Sequence, residues 1–406
     1  MAPKISEAAV AARLEDYFER IGAHLKDRRK RESFAMYAFG ILGDGERKSV
    51  EPIAARACPD PGELNNVHSK LLYFLAQSKW DDRAVRQEAA RYALEAVQKR
   101  GSVVAWIIDD TGFLKQGTHS VGVQRQYTGS AGKITNCQIG VSLAAAMEQE
   151  HFPVDFELYL PQSWTEDAQR RREARIPDSV VFQTKVELAL GMIERAKHAG
   201  LPGSVILADA AYGDNTAFRN TVRYLWDFDF AVGVSTNLKV IPLNTRRRKA
   251  ITIGELAHQL TRKSFRKLTW RHGSNARLSS RFCFIHVKTT HDDGIALQDR
   301  EPLWLIMEWP EHEPHPTKFA LSTLPEKMSK KQIVRLLKER WRTERMYEDL
   351  KGELGLDHFE GRSFPGWHHH ISVVLCCYAF VVAERARAFP PSGGRGRPTE
   401  PVTVAA

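Results

Sequence analysis

Apolar residues recur at helical spacing from the start of the chain. Val10, Leu14, Phe18, Ile21 and Leu25 follow Ser6, a residue suited to a helix N-cap. Asp81 or Asp82 can cap a further helix, which stops at Gly101 after Gln98-Lys99-Arg100. No strand-like alternation interrupts this stretch, so residues 1–100 are expected to form a helical N-terminal domain. The period then changes. Residues 102–108 (SVVAWII) and 204–208 (SVILA) are short apolar runs suited to fully buried strands. Residues 136–147 and 154–160 read as further strands, and 180–199 as a helix that Gly200 and Pro202 terminate. Strands followed by a helix and another strand predict a mixed α/β sheet.

The next hundred residues differ. Residues 230–234, 267–270, 281–289 and 302–307 read as separate short strands, and one of the gaps holds the basic run Arg246-Arg247-Arg248-Lys249. This pattern predicts a β-rich insertion over 225–322 within an α/β domain formed by 101–224 and 323–388. Residues 331–354 are patterned as one strong helix. The apolar run 371–383 (ISVVLCCYAFVVA) is too short to span a bilayer and reads as a buried helix. The last segment, 389–406, has the composition of a disordered basic tail.

Charge narrows the classes. Lys and Arg number 59 against 49 Asp and Glu, a net +10 that favours a polyanionic partner. The five cysteines form no CxxC pair, which argues against a zinc ribbon or a disulfide framework and fits a reducing compartment. The charged N-terminus lacks the apolar core of a signal peptide.

Three carboxylates carry the candidate chemistry. Asp109 and Asp110 follow the run SVVAWII and are expected to end that strand; Asp209 ends SVILA. Functional groups in open sheets often lie beyond strand ends, although an Asp there also starts turns or caps helices. The helix KQIVRLLKERWRTERMYEDLKGELG is more specific. Arg340, Glu344 and Lys351 fall within about 40° of one another on an ideal helix. They lie on or beside the face of Ile333, Leu336, Leu337, Tyr347 and Leu350, whereas Glu339, Arg342 and Arg345 mark the more polar side.

That spacing resembles the tyrosine–arginine–glutamate–lysine signature, Y-x2-R-x3-E-x6-K, of one branch of DDE-type insertion-sequence transposases. Leu337 stands where the signature has its tyrosine. The segment IDDTGFLKQG resembles the first aspartate region of these enzymes, in which the catalytic Asp precedes a Thr. This points to Asp110, with Asp109 in support. LADAAYG resembles the second region and points to Asp209. The resemblance implies a ribonuclease H-like catalytic domain interrupted by a β-rich insertion. It also implies that the N-terminal helices bind DNA ends. The implied activity is cleavage of the ends of an insertion sequence and their joining to target DNA. Its partner would be double-stranded DNA, engaged by a homodimer, in the nucleoid of a bacterial cytoplasm. Asp110, Asp209 and Glu344 would hold two Mg²⁺ ions, with Mn²⁺ as substitute. Arg340 and Lys351 would hold phosphates.

Other features are less specific. Arg246, Arg247, Arg248 and Lys249, and Arg170, Arg171, Arg172 and Arg175, are candidates to track a DNA backbone or to form solvated surface. Trp164, Trp270 and Trp309 suit core packing better than base stacking. His368-His369-His370 is rejected as a zinc site, because adjacent side chains do not converge on one ion. A nuclease that never joins strands, and a non-enzymatic DNA-binding regulator, are the competing readings.

Overall fold

The computed structural model describes residues 6–58, 60–244, 249–272, 276–290 and 294–388. Arg246–Arg248 and the tail 389–406 lie outside the described residues. The helices α1 (Glu7–Gly22), α2 (Arg28–Leu42), α3 (Val50–Ala57), α4 (Leu64–Ala76) and α5 (Asp82–Val97) come first. Asp27 caps α2 and Asp81 caps α5 through their carboxylates. Strands β1 (Val103–Leu114), β2 (Gln124–Thr128), β3 (Lys133–Met147) and β4 (His151–Tyr159) follow. Then come α6 (Gln162–Thr165), α7 (Ala168–Ala174), α8 (Lys185–His198), β5 (Val205–Ala208), α9 (Ala210–Gly213), α10 (Thr216–Asn220), β6 (Asp229–Gly233), β7 (Lys239–Pro242) and β8 (Ile251–Thr252). The series closes with α11 (Ile253–His258), β9 (Arg266–His272), β10 (Arg277–Thr289), β11 (Leu303–Trp309), β12 (Lys318–Ser322), α12 (Lys330–Leu337), α13 (Trp341–Gly352) and α14 (Phe364–Ala388). The fold is mixed α/β, as expected, and consistent with a ribonuclease H-like sheet.

Two compact units share the chain. The first comprises Met1–Val103, Asp110–Pro202 and Arg342–Ala406. At its centre is α14, which is buried along nearly its whole length and packs on α2, α4, α5 and strand β4. A helix that is apolar all round is one enclosed on all sides, so the apolar run 371–383 is a core helix, as its length predicts. The N-terminal helices thus pack into the same unit as β3, β4 and α8. Strand β3 pairs antiparallel with both β2 and β4.

The second unit comprises Val104–Asp109 and Gly203–Trp341. Here β1, β5 and β6 run parallel, and β12, β11, β10, β7 and β8 continue the order, with β9 on the side of β10. Strand β6, at the start of the segment expected to form the β-rich insertion, lies between β5 and β12 and is hydrogen-bonded to both.

Candidate active site

Strand β1 does not end at Ile108. It runs on through Asp109 and Asp110 to Leu114, which corrects the expectation that both aspartates sit at a strand mouth. Each carboxylate has a cation. Arg340 Nη2 donates to Asp109 Oδ2 at 3.2 Å, and Lys185 Nζ, at the start of α8, donates to Asp110 Oδ2 at 3.0 Å. Paired charges let the strand pass where two lone carboxylates would have broken it. Neighbouring side chains in a strand point to opposite faces, so these aspartates serve different surroundings. Asp109 and Arg340 belong to the second unit, Asp110 and Lys185 to the first.

Register brings one of them to Asp209. On the parallel strands, Trp106 pairs with Ile206 and Ile107 with Leu207. The same register continued by two residues sets Asp109 beside Asp209. Asp209 ends β5 and also caps α9, its Oδ1 accepting the Ala211 N–H at 2.9 Å. The strand-end and capping readings therefore both hold. Glycines keep this turn close to the sheet. A Cβ on Gly213 would come within 1.9 Å of the Gly233 carbonyl oxygen, and one on Gly233 within 3.0 Å of the Ala210 nitrogen.

The helix expected over 331–354 is interrupted. A 3₁₀ turn, Lys338–Arg340, separates α12 from α13, so the ideal-helix angle between Arg340 and Glu344 does not apply. Inside the turn Lys338 Nζ donates to Glu308 Oε2 at 2.5 Å, and Glu339 is buried. Burial depresses the Lys338 ammonium below its usual value despite Glu308.

Glu344 is exposed on α13 and has no hydrogen-bond or ion-pair partner among the described residues. Its helix is anchored within the first unit by Tyr347, whose hydroxyl lies 2.5 Å from Ser142 Oγ, and by Arg342, which donates to the Glu148 carbonyl. Lys351 does not project into solvent. Its Nζ donates to the Gly112 carbonyl at 2.8 Å and sits 5.3 Å from the Phe113 ring centroid. Burial lowers its pKa. Across the same stretch, Ser130 Oγ accepts the Gly112 N–H at 3.2 Å and lies 3.1 Å from Thr111 Oγ1. The Asp-Asp-Thr-Gly segment is thus gripped by Lys185, Ser130 and Lys351. Lys185 and Ser130 were not singled out from the sequence, since neither belongs to a motif.

The weaker candidates make local contacts. Trp164 Nε1 donates to the Val123 carbonyl while Arg170 lies 4.4 Å from its ring centroid. Arg171 binds the carbonyls of Thr165, Pro177 and Val180, and Arg175 that of Ala76. Trp270 packs edge-on against Phe282 with Lys338 above it, and Trp309 packs against Phe265. Arg271 covers Trp341 at 4.1 Å. Lys249 is exposed. The three histidines diverge: His368 Nδ1 contacts the Phe364 carbonyl, His369 Nδ1 the Leu75 carbonyl, and His370 lies between Tyr37 and the Gly355 carbonyl. Among the described residues no group of three His, Cys, Asp or Glu side chains stands close enough to hold a metal ion. None of the described helices is long and apolar enough to cross a membrane.

Aligned aspartates on adjacent parallel strands agree with what comparison of the chain finds. A match to the family described as DDE superfamily endonuclease spans residues 20–277, more than half the chain. The chain belongs to the DDE superfamily endonucleases. The matched span includes Asp109, Asp110 and Asp209, and it ends before the helix that carries Glu344. A curated relative, described as a probable transposase for insertion sequence element IS701 from Microchaete diplosiphon, is 26% identical over 231 residues. The alignment covers 56% of this chain and 56% of that protein, so this member of the DDE superfamily spans about half of its relative.

Proposed function

We propose that the protein is a DNA transposase that cleaves the ends of an insertion sequence and joins them to target DNA. The carrying observation is the register that sets Asp109 beside Asp209, with Arg340 on Asp109. Family membership and the IS701 relative support the same reading. On that register we read Asp109 as the first catalytic position, where the sequence favours Asp110, and Asp110, held by Lys185, as a support for the strand.

Asp109, Asp209 and Glu344 would hold divalent metal. Their donors are hard carboxylate oxygens, which suit Mg²⁺ and, in its place, Mn²⁺. The register brings the like charges of Asp109 and Asp209 side by side, which favours a bound cation, and Glu344 is exposed and without an ion-pair partner among the described residues. Two bound ions would supply Lewis-acid stabilisation for an in-line displacement at phosphorus. Arg340 would hold a phosphate once released from Asp109. Lys351, bonded to Gly112, fits a positioning role for β1 better than the phosphate contact its spacing suggested. Duplex DNA bound by a homodimer, and DNA-end binding by the N-terminal helices, complete the reading.

The test incubates the full chain with duplex bearing the element's ends and with a target duplex. Nicking at the ends and joined product should require Mg²⁺ or Mn²⁺, and Ca²⁺ should support binding without cutting. Cleavage that persists in excess chelator overturns the metal reading. Nicking without joined product would reduce the enzyme to a nuclease.

A further inference from the structure

Residues 256–291 contain eight Lys and Arg side chains and no Asp or Glu. The hairpin β9–β10 carries most of them. Arg262, Lys263, Arg266, Lys267, Arg271 and Arg277 are all exposed. Pairing on this hairpin is unusual for a folded protein. Lys267 stands directly opposite Arg281, and the next pair on that face is Thr269 opposite Ser279. Arg277, four residues from Arg281 on the same strand, returns to the same face. Like charges placed opposite one another destabilise a strand pair.

The protein supplies little to offset this. Glu311 lies 3.8 Å from Arg262 and 3.9 Å from Lys267, an exposed carboxylate divided between two cations, and such pairs contribute little. Arg281 Nη1 reaches the Phe265 carbonyl at 3.4 Å, while its buried Nε has no hydrogen-bond partner.

We propose that this face of the β9–β10 hairpin, with Lys267, Arg277 and Arg281 around the Thr269 and Ser279 hydroxyls, docks on the phosphate backbone of duplex DNA. A row of phosphates neutralises the opposed cations, and the hydroxyls add uncharged donors of the kind that fix register on a backbone. A two-stranded ribbon also fits the major groove. The choice of DNA among polyanions rests on the transposase reading; the surface itself does not.

The test uses the full-length chain and a Lys267→Gln/Arg277→Gln double variant, leaving Arg281 in place. Anisotropy titrations of a labelled duplex in chelator, over a series of NaCl concentrations, report affinity and salt slope. Loss of two phosphate contacts should reduce the slope of log K against log salt by about 1.8. Relief of the opposed charges should leave Tm unchanged or raise it. An unchanged slope and affinity overturn the proposal, and so does weaker binding accompanied by a lowered Tm, which marks a structural role. Loss of heparin binding with duplex binding intact also overturns it. Asp209→Asn and Glu344→Gln should keep duplex binding. If they also cleave like wild type, the active-site reading falls while the hairpin assignment stands on its own data.

Discussion

Two charged regions of this molecule are built in opposite ways. In the first unit, the fully buried Arg86 donates to Asp155 at 2.9 Å, to Ser372 at 2.8 Å and to Asp82. Asp155 also accepts two bonds from Arg195 and the Phe156 N–H. Glu157 takes Arg83 and Arg195, with His368 Nε2 at 3.3 Å. Burial pushes the Glu157 carboxyl up, but His368, Arg86 and Arg83 outweigh it and hold the group well below the usual carboxylate range. At the end of β5 in the second unit, by contrast, Asp209 accepts one backbone N–H. Each carboxylate in the first region has a guanidinium partner within it. The second leaves Asp209 without a cation among the described residues. Balanced burial marks a structural network, and imbalance at a strand end marks a place for a ligand.

The comparison breaks most visibly at the carboxylates. Asp109→Ala, Asp209→Ala and Glu344→Ala should each lose cleavage of end-containing duplex to the detection limit, with thermal melting close to wild type. Asp110→Ala should retain measurable cutting. A dead Asp110→Ala beside an active Asp109→Ala would return the first position to Asp110 and defeat the register argument. The reverse pattern belongs to the network. Arg86→Leu leaves Asp155 and Glu157 short of a buried cation and should cost about 3–5 kcal/mol in chemical denaturation. A loss under about 1 kcal/mol would mean that Arg195 and Arg83 carry the charge without it.

The smallest effect is a pH dependence from the histidines beside the network. Burial lowers His369 and His370 from 6.5 to about 4. Between those values the unfolded chain takes up protons that the folded chain refuses, so stability falls as pH drops from about 6.5 towards about 4. Above about 6.5 this contribution is constant. Urea midpoints measured across that range should decline for wild type and decline less steeply for His369→Phe, which leaves His370 in place. A parallel decline in the variant would remove His369 as a source.

Much of this was legible in the sequence. Buried strands before Asp109 and Asp209, the helical N-terminal hundred residues and the core helix over 371–383 all follow from apolar period alone. Three things were not. Strand β1 runs past its aspartates because Lys185 and Arg340, distant in sequence, neutralise them. The helix before Glu344 breaks at Lys338–Arg340 although its apolar spacing continues unbroken, and the Lys338–Glu308 pair sits at that break. Strand β6 joins the parallel strands because β12 returns to cover it, a pairing no local pattern announces. The strand register that sets Asp109 rather than Asp110 beside Asp209 likewise comes from pairing, and adjacent residues of one type carry no such signal in sequence.

The cationic hairpin has a further consequence for how the chain survives in solution. Among the described residues β9 pairs with no strand other than β10, so its other edge carries no strand partner. Lys and Arg along an exposed edge are a standard deterrent to such additions. Arg266, Lys267 and Arg271 therefore also act as gatekeepers against self-association. A variant neutralised at all three should melt no earlier than wild type yet precipitate sooner on concentration, through new β-sheet between molecules.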